Sequence, residues 1–423
     1  MWTEEQRTAN TGLAKVAVQC SADTFVVNQT LVIRRHICGE NRHLRQARKT
    51  LYPLRANKRL TMKKVNIQMS AKVRLFLQLV CCLSIITNGT GGCSKIARNS
   101  NDSYSYTLGP ANEIDQSWLP WPQYYPDGGF SIIEIDSSFA IFWPEFESSR
   151  SVGNSPFPEN HNGTNLNPAT PVFGGREPDN GVSNGFDDGG SWIYGVHTLS
   201  GPALVGFIHA ESHWYPRATS GGIAFKSIGI TYSNDYGVTW QQSVPLLTYA
   251  QPKPTVPAWT GVGDFCVVYN KVQKAWFCYY TSDGRIQMAM SKDSLARPGT
   301  WFKHFNNAFS QPGIAGDQTP IAGLKNFTGG NPAVHFNTYL NRWVMAYHGW
   351  EPPVLYVSTS ADGITWGTPQ VLLDNGQKTW YPTLVGDKNN KVGGQNLKLY
   401  YAEFDSLTSS TRKLMYRELV LQK

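Results

Sequence analysis

The sequence predicts an all-β chain, folded over residues 94–423 as a five-bladed β-propeller with four-stranded blades. Three observations carry this. Short apolar runs of strand length alternate with Gly, Asn, Asp and Pro clusters, and helical periodicity is almost absent from that region. A unit of one glycine-bounded strand, a turn and a second apolar strand recurs five times. A tight turn ending in tryptophan is interleaved with that unit. Radial repetition of four-stranded units is what a propeller is.

The five units follow in order. DGGFSIIEIDSSFAIFWPEF (127–146) opens the series and DDGGSWIYGVHTLSGPALVGFIHAE (187–211) follows. Next come GDFCVVYNKVQKAWFCYYTSD (263–283) and GNPAVHFNTYLNRWVMAYHGW (330–350). WYPTLVGDKNNKVGGQNLKLYYAEFD (380–405) closes it. Their starts at Asp127, Asp188, Asp264, Asn331 and Tyr381 lie 61, 76, 67 and 50 residues apart, spacings that suit one blade each. The interleaved turn reads Ser233-Asn-Asp235-Tyr-Gly237-Val-Thr239-Trp240, and again Ser360-Ala-Asp362-Gly363-Ile-Thr365-Trp366. A degenerate copy holds Ser291, Asp293, Thr300 and Trp301. This Asp-box makes a tight turn between outer strands, with the tryptophan as a plug, and its role is structural. A six-bladed, sialidase-like propeller with one eroded blade is the alternative architecture.

The region before the propeller reads as targeting sequence. From Met69, Lys72 and Arg74 precede a 75–87 apolar stretch, and small residues follow to Gly92, the layout of a secretory signal peptide over 69–93. The stretch is shorter than the roughly 20 residues that span a bilayer, so a signal anchor through 75–87 is the alternative. Residues 1–68 read as a basic, non-structural upstream extension. Charge agrees: 1–93 hold 15 basic and 4 acidic residues, while 94–423 hold 23 and 26. The formal +8 therefore belongs to the leader, and nucleic acid is not an expected partner. A secreted monomer is expected, in contact with a membrane only if the signal stays uncleaved. Sequons at Asn101, Asn162 and Asn326 fit export. So does a disulfide between Cys266 and Cys278, which a hairpin centred near residue 272 would place face to face.

The chemistry follows from the fold. The starts of innermost strands line one mouth of a propeller's channel, which brings Asp127, Asp188 (with Asp187) and Asp264 together. Carboxylates gathered without cations raise one another's pKa, and glycosidic cleavage needs one protonated carboxyl and one ionised carboxylate. Glu211 and Glu145, at the ends of second strands, are further acids. Fourteen tryptophans supply sugar platforms, with Trp143, Trp214, Trp350 and Trp380 at strand ends. His335 and His348 are candidate ligand contacts without metal-site spacing. No nucleophile elbow, phosphate loop or dinucleotide fingerprint is present, and no cofactor or metal is implied.

These units resemble the five-bladed propeller glycoside hydrolases: arabinanases, β-xylosidases, arabinofuranosidases and invertase-like enzymes. The Asp127-Gly128-Gly129-Phe130-Ser131 opening is similar to that of sparsely characterised D-G-G-x-S propellers. The resemblance, over about 127–405, implies a secreted O-glycosyl hydrolase acting on a polysaccharide or oligosaccharide. Asp127 would be the general base, and Asp188, or its neighbour Asp187, the residue that tunes the acid. Those families place a glutamate where this chain has Asp264, so the acid falls to Asp264 or Glu211. A carbohydrate-binding propeller that has lost its acid is the alternative. Sialidase chemistry needs three arginines, and the inner hairpins offer Arg342.

Overall fold

The computed structural model describes residues 104–423 apart from 120–121, 123–124, 145–147, 161–169, 174–184, 215–222, 377 and 407–410. All of them belong to one compact unit, Gly91–Lys423. The expectations for 1–68, 69–93, Asn101, Glu145 and Asn162 fall outside the described residues.

The described chain forms five sheets, one per expected blade, each with an antiparallel main ladder. From axis to rim, blade one holds Ser131–Ile135, Ser138–Trp143, Ser148–Gly153 and Thr170–Phe173. Blade two holds Gly190–Ser200, Ala203–Ser212, Phe225–Ser233 and Val244–Leu247. Blade three holds Gly263–Asn270, Ala275–Ser282, Arg285–Ser291 and Trp301–Phe305, with Ala308–Pro312 as an extra edge. Blade four holds Gly329–Asn337, Arg342–Gly349, Leu355–Ser360 and Gln370–Leu373. Blade five takes Thr379–Val385, Asn396–Phe404 and Arg412–Gln422 from the C-terminal end of the chain. Its outer strand is Ser105–Leu108, paired Ser105 to Gln422 through Leu108 to Leu419.

Side-chain alternation along each strand gives every blade two apolar faces, one for each neighbour. Five of the buried clusters each fill one blade junction. Ile133, Phe142, Ile193 and Ile208 join blades one and two. Phe207, Ile230, Val267 and Trp301 join two and three. Phe277, Tyr279, Val334 and Trp366 join three and four, and Val344, Leu355, Leu399 and Tyr106 join four and five. Phe130, Ile132, Trp143 and Tyr400 join five back to one. Five sheets sharing five junctions close the ring, so the described residues form five blades with no place in the ring for an eroded sixth.

The Asp-box turns sit between the third and fourth strands of their blades. Asp235 accepts the Thr239 N–H at 2.9 Å, and Ser233 accepts the Gly237 N–H at 2.9 Å. Gly237, at φ +80°, leaves no room for a Cβ beside Phe142. Trp366 and Trp301 are buried as plugs, and Trp240 is half-buried against Phe142.

The expected disulfide is not formed. Asn270 pairs with Ala275, a register that sets Val267 opposite Cys278 and Cys266 opposite Tyr279. One residue of offset turns the two thiols to opposite sheet faces. Cys278 packs towards blade two and Cys266 towards blade four, both free. Burial raises the Cys266 thiol to about 11 and also pushes Cys278 well above the ordinary thiol range, so neither is a reactive thiolate.

Candidate functional site at the axial mouth

Three of the inner strands begin with a bulge at a non-glycine residue of positive φ: Asp264 (+45°), Asn331 (+50°) and Tyr381 (+53°). The ladder register shifts at each of these points. Left-handed backbone is unfavourable for such residues, and bulges of this kind re-aim side chains. All three belong to one circuit of contacts that passes through all five blades.

The circuit starts at Asp127, whose carbonyl accepts the Tyr194 hydroxyl at 2.5 Å. The Tyr194 ring stacks on His209 at 5.1 Å, and His209 Nδ1 accepts the Asp264 N–H at 3.0 Å. The Thr281 hydroxyl donates to the Asp264 carbonyl and accepts the Asn331 N–H, both at 3.0 Å. Asn331 reaches His348 at 3.1 Å, and His348 lies parallel on Trp380 at 5.1 Å. The neighbouring Tyr381 donates its hydroxyl to Asp127 Oδ1 at 3.1 Å, which closes the loop. A branch runs from His209 Nε2 to Glu211 (3.5 Å), from Glu211 to His213 (3.0 Å), and from the His213 N–H to Asp188 (3.1 Å). The four expected carboxylates Asp127, Asp188, Asp264 and Glu211 thus meet at one mouth.

Their electrostatics differ from the sequence expectation. The premise was carboxylates without cations, yet each of the four has a basic neighbour, which for Asp188 is Lys253 and for Glu211 the two imidazoles. Arg412 Nη1 holds Asp127 at 2.6 Å, and Lys226 Nζ holds Asp264 at 2.8 Å. Burial pushes the Asp264 carboxyl up, but Lys226 and His209 outweigh it and hold it below the ordinary range. Burial likewise opposes ionisation of Glu211, and its two imidazoles bring it down to about 2. Mutual repulsion is the weaker effect here. Asp127 is the accessible one, with 45% of its side chain exposed against 16% for Asp264 and 12% for Glu211.

Other expected residues divide. Trp143 is fully buried against Trp118, Tyr125 and Phe130, with its indole N–H on Ser151 at 2.8 Å; it is core, not a platform. His335 is buried beside Gly393 and takes no part in the circuit. Trp214 stands at the rim, its N–H on the Pro254 carbonyl and the Lys253 ammonium over its ring. Trp350 and Trp380 are half-buried, and Trp380 carries both His348 and the Lys378 ammonium on its ring. Tyr194, Lys226, Lys378 and Arg412 were not singled out from the sequence. Tyr194 had a legible signal, since it follows the Asp187-Asp188 opening by strand alternation. Arg412 had none, because it comes from the third strand of blade five.

A cavity of about 920 Å³ opens at the opposite end of the channel, between Leu199, Val268, Phe336 and Trp343. Its central charge, Lys391, is spent on Ser131, Asn390 and the Ile132 carbonyl. Burial lowers that ammonium to about 7. An apolar funnel with its lysine already hydrogen-bonded offers less chemistry than the carboxylate mouth. Among the described residues no cluster of three or more His, Cys, Asp or Glu is arranged to hold a metal.

No protein-family model and no curated protein sequence matches the chain. Among solved structures it is similar to an exo-β-1,3-galactanase from Phanerochaete chrysosporium, with TM-score 0.44 and 11% identity over 74% of this chain. The match spans 64% of the galactanase's own length. An α-L-arabinofuranosidase from Lactobacillus brevis matches with TM-score 0.43 and 13% identity over 72% of this chain and 94% of that one. A family 117 glycoside hydrolase from Zobellia galactanivorans matches with TM-score 0.44 and 9% identity, over 75% and 90%.

Proposed function

We propose that this chain acts on glycans at the axial mouth, as a hydrolase of glycosidic bonds. The observation that carries this reading is the convergence of Asp127, Asp188, Asp264 and Glu211, from three blades, on one contact circuit with Tyr194, Tyr381 and Trp380. Asp127 is the ionised carboxylate that faces water or an anomeric carbon, held in place by Arg412 and the Tyr381 hydroxyl. The Asp264 backbone N–H on His209 Nδ1 leaves that ring's proton on Nε2, towards Glu211. The proton for a leaving oxygen is assigned to this His209–Glu211–His213 set. Asp264, committed to Lys226, serves to position His209.

A second reading has an observation of its own. Neither Glu211 nor Asp264 is held protonated, since both sit below the ordinary range, and a binding propeller needs no acid. One experiment separates the two. Wall polysaccharides and aryl glycosides are offered to the full chain and to Asp127→Asn. Hydrolysis that falls by roughly 100-fold or more in the variant, with binding retained, supports the hydrolase. Binding without turnover in either protein supports the lectin-like reading.

We also propose export from Met69. The exposure of Asn326, in a turn ahead of blade four, supports it. Expression from Met69 in a eukaryotic host is expected to give secreted protein with glycan on Asn326; cytosolic retention overturns export.

A further inference from the structure

The mouth is polarised. Its carboxylates stand on blades one to three, while the side chains facing them from blades four and five are mainly donors. Lys378 Nζ lies 4.2 Å from the Trp380 ring centroid and 4.0 Å from that of Phe404, and no carboxylate pairs with it among the described residues. Burial, and then the nearby Arg412 guanidinium, lower its proton affinity, so two cations crowd one corner, and Asp127 is paired with Arg412. His348 receives the Asn331 amide on Nδ1, which leaves the ring proton on Nε2, buried and without an acceptor. The Trp350 indole N–H, in the ring next to His348, is likewise buried without an acceptor.

Unpaired buried donors beside an uncompensated ammonium call for a ligand rich in acceptors. A neutral sugar's hydroxyls would satisfy the donors and leave the lysine charge unmatched. An oxyanion meets both needs. We propose that the corner formed by Lys378, Arg412, His348 and Trp350 receives a carboxylate or sulfate of the glycan, so that the preferred ligand is an acidic polysaccharide. This rests on the glycan reading above and names its substrate class.

The test measures binding of the full chain to polygalacturonate, a sulfated galactan, neutral arabinan and neutral galactan, repeated with Lys378→Met and Lys378→Arg. The expected result is at least tenfold tighter binding of one acidic polymer than of both neutral ones. That preference should shrink at high salt, vanish in Lys378→Met and return in Lys378→Arg. The polygalacturonate and sulfated-galactan arms tell carboxylate from sulfate. Neutral polymers bound as well as acidic ones, or an acidic preference that survives Lys378→Met, overturn the inference and leave the glycan reading standing. Failure of every polymer to bind overturns both.

Discussion

Glu211 and Asp264 show how a residue's neighbours decide its chemistry. Both are nearly buried carboxylates, an environment that would protonate them in isolation, yet imidazoles and an ammonium hold them ionised. Removing the ammonium should reverse that for Asp264. Lys226→Met is expected to lower stability by about 1–3 kcal/mol and to move the Asp264 titration upward, read by carboxyl ¹³C shifts against pH. An unmoved titration would mean that His209 alone sets it. The sequence made the four carboxylates legible, because each stands at the end of a strand in a repeated hairpin. It could not make their partners legible. Lys226 and Arg412 come from third strands, whose alignment with the inner hairpins exists only after the blades are built. The cysteines mark the same limit. Their hairpin was readable, but its register was not, and one residue of slip separates a bridge from two buried thiols. Both thiols should therefore react with a thiol reagent after unfolding without reductant; a pair that stays blocked would restore the bridge.

At the level of elements, the apolar inner hairpins were readable and the polar edges were not. Ser148–Gly153 carries almost no apolar signal, yet its serines are buried. Ser151 accepts the Trp143 indole N–H at 2.8 Å, and Ser148 accepts the Ile193 N–H at 2.7 Å. Serine suits a narrow blade junction where hydroxyls replace bulk. Ser105–Leu108 was missed for another reason: its partners lie at the far end of the sequence. Tyr104 and Tyr106 are buried between blades four and five. Starting the protein at residue 110 is expected to remove roughly 3–6 kcal/mol of burial and to lower the melting temperature by many degrees. Starting it at residue 94 should leave the melting temperature unchanged. Equal stability of the two truncations would show that the strand merely rests on the sheet. The Asp-box turn can be tested alone: Asp235→Ala should cost about 1–2 kcal/mol in denaturant unfolding without altering glycan binding.

The whole molecule carries an acid sensitivity that no single site explains. Burial lowers His197, His335 and His348 from 6.5 to about 3. Below pH 6.5 the unfolded chain takes protons at these rings that the folded chain refuses, so their contribution is complete above 6.5 and drains as pH falls towards 3. Each histidine alters stability by up to about 1.4 kcal/mol per pH unit in that window. Glu211 adds a loss in the same direction as pH falls from 4.5 to about 2. Urea midpoints should drop steeply between pH 6.5 and 4; a flat profile would show that the native rings accept protons. The joining of Ser105–Leu108 to the last strand has a consequence in time. Ser105 meets a partner 317 residues later. Translation at about 5–20 residues per second makes it wait roughly 15 to 60 seconds. Throughout that wait Tyr106 and Leu108 lack the strand that they pair with, and their burial, with that of Tyr104, is incomplete. A ribosome-bound chain stopped short of residue 412 should present them to chaperones, and completion of the final dozen residues should hide them all at once.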